Sequence, residues 1–208
     1  MSDTKKSILL SALGLFARDG YEAVPVSAIA GELGITKGAL YKHYKSKQDI
    51  FNAILDEMKK SYDKQASMLN ISGEDAVSDA EVYSDIGEDE LVRMATGLFL
   101  YFLHDEYAQK FRKMLTIEQF RDSELAHLLT KEYADDPLSY QSAMFSMLCE
   151  KGVLRKYDPD VMALHFYAPI YFLLTVCDRE PQRETESTEL LKRHIRQFSR
   201  VYGKGEKI

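Results

Sequence analysis

Val26–Lys47, VSAIAGELGITKGALYKHYKSK, decides how the rest of the chain is read. Val26, Ile29, Ala30 and Leu33 recur at spacings of three, one and three, which lays an apolar stripe along one side of a helix. Gly34 follows at once and admits the left-handed backbone that ends a helix and turns the chain. Thr36 is placed to cap a second helix, because its hydroxyl accepts from an amide that the first turn leaves unpaired. Leu40 and Tyr44, four residues apart, give that second helix its inward side. Two short helices joined by a tight, glycine-containing turn form a helix-turn-helix, whose second helix enters the major groove of DNA. The outward side reads Lys37, Gly38, Tyr41 and Lys42, followed by Lys45 and Lys47, and from Thr36 to Lys47 there are four lysines and no acid.

The charge of the whole chain sharpens this reading. The 208 residues carry a net charge of −6, which argues against general affinity for nucleic acid. Residues 1–64 hold ten Lys/Arg and eight Asp/Glu, a net of +2, which leaves −8 for residues 65–208. Only the N-terminal part suits phosphates. Apolar residues make up 45% and charged ones 29%, an ordinary balance for a soluble globular protein. Cys149 and Cys177 lie far apart and outside any metal-ligand spacing, as expected of buried, reduced thiols in a cytoplasmic protein. The N-terminus MSDTKKSILLSALGLF is amphipathic and lacks the continuous apolar block of a signal peptide. The longest apolar run, Ala168–Cys177, is too short to cross a bilayer, so no membrane partner is expected.

Gly20-Tyr21, Val26-x-x-Ile29-Ala30, and the string Gly34-Ile35-Thr36-Lys37-Gly38-Ala39-Leu40-Tyr41-Lys42-His43-Tyr44 with Lys47 together resemble the DNA-binding domain of the TetR/AcrR family of bacterial repressors. The resemblance covers roughly the first quarter of the chain; the remainder is similar to that family's helical regulatory domain in length and layout only. Where the family usually has Ser or Thr capping the first helix of the motif, this chain has Pro25, which suits a helix start because it has no amide to leave unpaired. The resemblance implies an all-α fold: an N-terminal three-helix DNA-binding domain over 1–47, joined by a long helix to a helical ligand-binding and dimerisation domain over 48–208. It implies a homodimeric repressor, released from a pseudo-palindromic double-stranded DNA operator by a small-molecule effector. By resemblance, Thr36, Lys37, Tyr41, Tyr44 and Lys47 hold phosphates, and Lys37, Gly38, Ala39, Lys42 and His43 lie nearest the bases.

Read from the residues alone, several of these positions keep two readings. Tyr44 serves the core or a phosphate, and His43 reads a base or merely spaces the surface. Gly38 costs about 1 kcal/mol of helix stability relative to alanine, which a helix tolerates where a side chain would strike the groove floor. Ala39 offers a methyl group to a thymine methyl.

Outside the motif the periodicity predicts helices almost throughout. Lys5–Arg18 is amphipathic, and Ser46-Lys47-Gln48-Asp49 opens a helix reaching about Leu69 that links the two domains. Residues 70–87 lose the apolar period, and eight acids with no Lys or Arg between Glu74 and Glu90 predict a solvated loop. Leu91–Phe102, then Phe111, Met114, Leu115 and Phe120, then a segment capped by Ser123, mark further helices. Asp136-Pro137 and Asp158-Pro159 are two copies of a helix start, a capping Asp before proline. The second opens a helix apolar on nearly every side, which Pro169 should kink and which needs a partner beyond its own core. That helix, about 159–177, and the last, about 188–202, look like the family's dimerisation pair.

Phe99, Phe102, Met114, Tyr140, Met144, Tyr167 and Tyr171, with His165 for polar contact, are the candidates to line an effector cavity, although aromatic and Met residues at helical spacing more commonly fill cores. No metal or cofactor is expected. His104-Asp105-Glu106 is the nearest approach to a catalytic group, but sequence neighbours on a helix do not face one another, so an enzyme is not expected. The rival reading is a helical protein-interaction adaptor that has lost DNA binding; such a chain would lack the basic Thr36–Lys47 string.

Overall fold

The apolar period of the N-terminal segment becomes α1 (Asp3–Asp19), with Ile8, Leu9, Ala12, Leu13 and Phe16 fully buried. The computed structural model describes residues 3–204, and among these the only β pairing is one isolated bridge between Leu154 and Gly203. After α1 come α2 (Val26–Glu32), α3 (Lys37–Tyr41), α4 (Lys47–Met68), α5 (Ala76–Asp85) and α6 (Glu88–His104). Next are α7 (Glu106–Glu118), α8 (Ser123–Thr130), α9 (Asp136–Glu150), α10 (Pro159–Arg179) and α11 (Glu184–Tyr202). The all-helical class expected from the sequence is the one found.

Packing divides the chain into two units: one holds residues up to Tyr62 together with His104–Leu129, the other Asp63–Leu103 and everything from Thr130 on. This division does not fall after residue 47, where the sequence places the boundary. Three short helices bury too little apolar surface to stand alone, and unit 1 completes its core with the first half of α4 and with α7. Ile50 and Ile54 are fully buried, α7 packs along α1, and the rings of Phe16, Tyr21, Phe51 and Phe111 follow one another at centroid distances of 5.0, 5.1 and 5.9 Å. In unit 2, α9 packs on α5 and α10, and α10 on α11. Phe145, Phe166 and Phe198 meet pairwise at 5.0–5.5 Å at the centre.

Several local expectations are corrected. Residues 76–85 are a helix rather than loop, because Asp75 caps it by accepting from Val77 N and Ser78 N. The buried Asp79 then binds Ser72 N, Gly73 N and the Tyr140 hydroxyl, so this acidic segment is fastened from within. Asp122, not Ser123, caps α8, accepting from Glu124 N and Leu125 N. Asp158 caps α10 as predicted, but Asp136 starts nothing: α8 runs through a π-helical turn at Lys131–Asp135 straight into α9. The π turn falls just before Pro137, whose missing amide and ring disfavour a regular α-helical turn on its N-terminal side. Phe120 is 91% exposed because it lies beyond the end of α7, outside that helix's inward stripe. α10 continues unbroken through Pro169.

Candidate nucleic-acid interface

The turn between α2 and α3 is built from backbone bonds and one hydroxyl. Gly34 adopts φ +64°, Gly34 N donates to Gly31 O, and Ile35 N donates to Ala30 O, both at 3.0 Å. These are the paired bonds of a Schellman motif, and they close α2 without any side chain. Thr36, extended at φ −75° and ψ 151°, accepts from Ala39 N at 3.1 Å and so caps α3 as its sequence position predicts. Pro25 precedes α2 and gives no side-chain cap. Leu40, fully buried, pins α3 to unit 1.

With that inward side fixed, Thr36, Lys37, Gly38, Tyr41 and Lys42 are exposed, and Ala39 and His43 are half-buried. Lys37 Nζ sits 5.7 Å from the centre of the Tyr41 ring, so both lie together on the outer side of α3. A Cβ on Gly38 would meet nothing nearer than Thr36 Oγ1 at 4.0 Å, so the protein's own packing does not require glycine there.

Tyr44 and Lys47 are placed differently. Tyr44 is 8% exposed, and burial, then the charge of Glu57, raises its phenol pKa. Lys47 Nζ donates to the carbonyl oxygens of Tyr21 at 2.9 Å and Glu22 at 3.4 Å. The start of α4 is held instead by Ser46 Oγ, which accepts from Asp49 N, and by Asp49, which accepts from Lys45 N, both at 3.0 Å. The sequence reading also missed Lys5. Its Nζ lies 5.8 Å from the Tyr44 ring centre, so the start of α1 adds a cation beside the motif. Nothing in the local pattern of α1 signals this; only the fold brings the two together.

The site is thus a helix-turn-helix whose exposed, acid-free second helix stands on the core of unit 1. Residues 8–54 match the model of a family described as bacterial regulatory proteins, tetR family. The chain is similar to that family over this N-terminal segment, under a quarter of its length. It is 44% identical over 48 residues to the HTH-type transcriptional regulator YerO of Bacillus subtilis, an alignment spanning 23% of this chain and 17% of that one. It is 40% identical over 52 residues to AcrR of Shigella flexneri, spanning 25% and 24%. The chain thus covers a quarter or less of the length of these curated relatives.

Solved structures share the fold over nearly the full chain. A TetR-family transcriptional regulator from Mesorhizobium loti superposes with a TM-score of 0.68 at 19% identity, covering 98% of this chain and all of that one. SmeT, the repressor of the SmeDEF multidrug efflux pump of Stenotrophomonas maltophilia, gives 0.64 at 20% identity, with 98% and 92% covered. The all-helical fold of this chain is the one these structures share.

The expected effector-lining residues do not converge. Met114 is fully buried in unit 1, because α7 packs on α1, whereas the others belong to unit 2. Phe99 is buried in the core of unit 2, and Phe102 packs at its edge. Tyr140 donates to Asp79 Oδ2 at 2.6 Å. Tyr167 stacks on Tyr171, which in turn stacks on Tyr133. His165 is exposed on α10, with Nδ1 against the Tyr202 hydroxyl. Of these candidates, Met144 alone lines a cavity found in unit 2. That cavity measures about 40 Å³ open to the centre of a water molecule, between the end of α5, α6, α9, α10 and α11.

Proposed function

We propose that this chain is a homodimeric transcriptional repressor of the TetR family, which grips a pseudo-palindromic operator through the outer side of α3 and is released by a small-molecule effector bound in unit 2. The exposed group Lys37–Tyr41–Lys42 carries the reading, held outward by the Thr36 cap and the buried Leu40. Lys42, Gly38, Ala39 and His43 face the bases; Thr36, Lys37 and Tyr41 meet phosphates, joined by Lys5. Tyr44 and Lys47 act from behind, as support. Relatives named as repressors, and SmeT in complex with triclosan, favour repression and effector release over activation. The work belongs to the cytoplasm, where such DNA lies.

The last two helices support a dimer. Val161, Leu164, Ala168 and Phe172 form one exposed stripe on α10, and Leu190 and Val201 are exposed on α11. One module makes too few base contacts for specificity, and a two-fold pair doubles them. α10 has the length and apolar composition of a membrane span, but Met162, Ala163, Phe166, Leu173 and Leu174 are buried in the core of unit 2. A second copy is the fitting cover for the stripe that remains.

Fluorescence anisotropy with fragments from upstream of its own gene, against random duplex at two salt concentrations, tests the reading. Tight, fragment-selective binding is expected. No binding at low salt would leave the adaptor.

A further inference from the structure

We propose that Glu118 is a positioning residue for DNA recognition: its buried carboxylate takes the place of the side chain that Gly20 lacks and so fixes the turn from which α2 and α3 hang. This rests on the DNA-binding reading above. Glu118 is the last residue of α7, outside the helix-turn-helix, and is 1% exposed. Gly20 follows α1 with φ +91°. A Cβ built on Gly20 would stand 2.1 Å from Glu118 Oε1 and 3.2 Å from its Cδ, well inside van der Waals contact. Glycine is thus required there twice, by the left-handed backbone and by the carboxylate. The close approach is peculiar to this spot: on Gly14, elsewhere in α1, a Cβ would meet α7 only at Lys110 Nζ, 3.8 Å away.

A carboxylate shut away from water is costly unless donors meet it, so its retention here calls for a role. The turn it lies against has donors to offer. Its backbone bonds run from Gly20 N to Phe16 O and from Val24 N to Tyr21 O, and the amides of Tyr21, Glu22 and Ala23 have no carbonyl partner among the described residues. Such amides and a buried anion complement one another in charge. α4 grips the same turn through Tyr21, whose carbonyl accepts from Lys47 Nζ at 2.9 Å and whose hydroxyl donates to Gln48 Oε1 at 3.1 Å. Glu118 secures Gly20, one residue earlier. Only residues 20–25 separate α1 from α2, so a shift at Gly20 passes to α2 and, through the Gly34 turn, to α3. Base-edge contacts tolerate little such displacement.

A double-mutant cycle on the full chain tests this, with Glu118→Ala, Gly20→Ala and the two combined. Each is read by anisotropy on the upstream fragment and on random duplex, and by urea denaturation. The backbone strain of Gly20→Ala is common to the single and the double variant and cancels. Glu118→Ala is expected to lower fragment affinity about tenfold and random affinity less, narrowing the preference. Gly20→Ala should lose more, and the double variant should bind the fragment better than Gly20→Ala does, because the clash is gone. Glu118→Gln, which keeps the shape and an acceptor, should recover most of what Glu118→Ala loses; should Gly20→Ala not fold, that comparison decides. Fragment preference in Glu118→Ala equal to wild type, with stability alone lowered, overturns the role, as do losses that simply add in the double variant. Wild type without any fragment preference removes the DNA-binding reading and this role with it, whereas wild-type preference carried unchanged into Glu118→Ala removes this role alone.

Discussion

The ammonium of Lys47 lies 4.3 Å from the centre of the Tyr21 ring and donates to that residue's carbonyl oxygen at 2.9 Å. One side chain from the start of α4 thus closes the turn between α1 and α2. Lys47→Ala should therefore cost unit 1 about 1–2 kcal/mol, from a charge-assisted hydrogen bond and a cation–π contact. Urea denaturation measures that loss, and the slope of log K against log[salt] for DNA binding should stay near the wild-type value. Lys42→Ala, at an exposed position with a free approach to bases, should instead weaken operator binding more than random binding while leaving stability unchanged. A slope lowered by about one in Lys47→Ala, with no loss of stability, would return this lysine to the phosphates.

Gly38 sets stability against recognition. Its missing side chain would meet nothing closer than 4.0 Å, so Gly38→Ala should leave the fold intact and stabilise it by up to about 1 kcal/mol. Operator affinity should nonetheless fall, since the added methyl projects from the outer side of α3 where the groove floor approaches. Operator affinity equal to or better than wild type would show that glycine has no steric role there.

Tyr107 is the clearest alkaline titrant. Burial is the main cause, with Glu57 and Glu106 adding to it, and its pKa is pushed up to about 12. Its hydroxyl is buried without a partner in the protein. The folded state holds the phenolic proton that the unfolded chain releases near pH 10, so this contribution is complete below about pH 10 and is lost as pH rises toward about 12. Tyr107→Phe should remove that part of the decline between these values. It should also match or exceed wild-type stability at neutral pH, since an unpaired buried hydroxyl is costly. Denaturation midpoints measured at pH 7, 10 and 11 check both. A steeper alkaline decline in the variant would contradict the assignment.

What could be read from the sequence was what is decided within a few residues. The Thr36 cap spans four residues and the Gly34 turn spans six, so their signals sit in the string itself. Lys47 could not be placed this way, because its partners lie 25 and 26 residues away. Lys5 and Tyr44 likewise meet only through packing. Met114 has the same helical spacing as a pocket residue, yet α7 folds onto α1 and buries it in unit 1. The two Asp-Pro starts look alike, but one caps a helix and the other lies within one, because the residues before Asp136 are already helical. The acidic 76–85 helix escaped composition altogether: its stability comes from Asp75 and Asp79 bonding to backbone amides.

The exposed stripe of α10 gives the final prediction. Leu164 is 50% exposed and Phe172 59%, on a helix whose opposite side is core. Apolar groups of that size gain about 1.5–3 kcal/mol each when fully buried, and a two-fold contact counts each of them twice. Replacing Leu164 and Phe172 together by glutamate puts four charges into the proposed interface without touching the core, so the chain should fold yet sediment as a monomer. Operator affinity should fall by orders of magnitude, because each half-site would then be held alone. Phe120→Glu is the matched control: that ring is 91% exposed on unit 1, away from both final helices in the chain, and its loss should change neither mass nor affinity. A double variant that still sediments as a dimer would move the interface off α10.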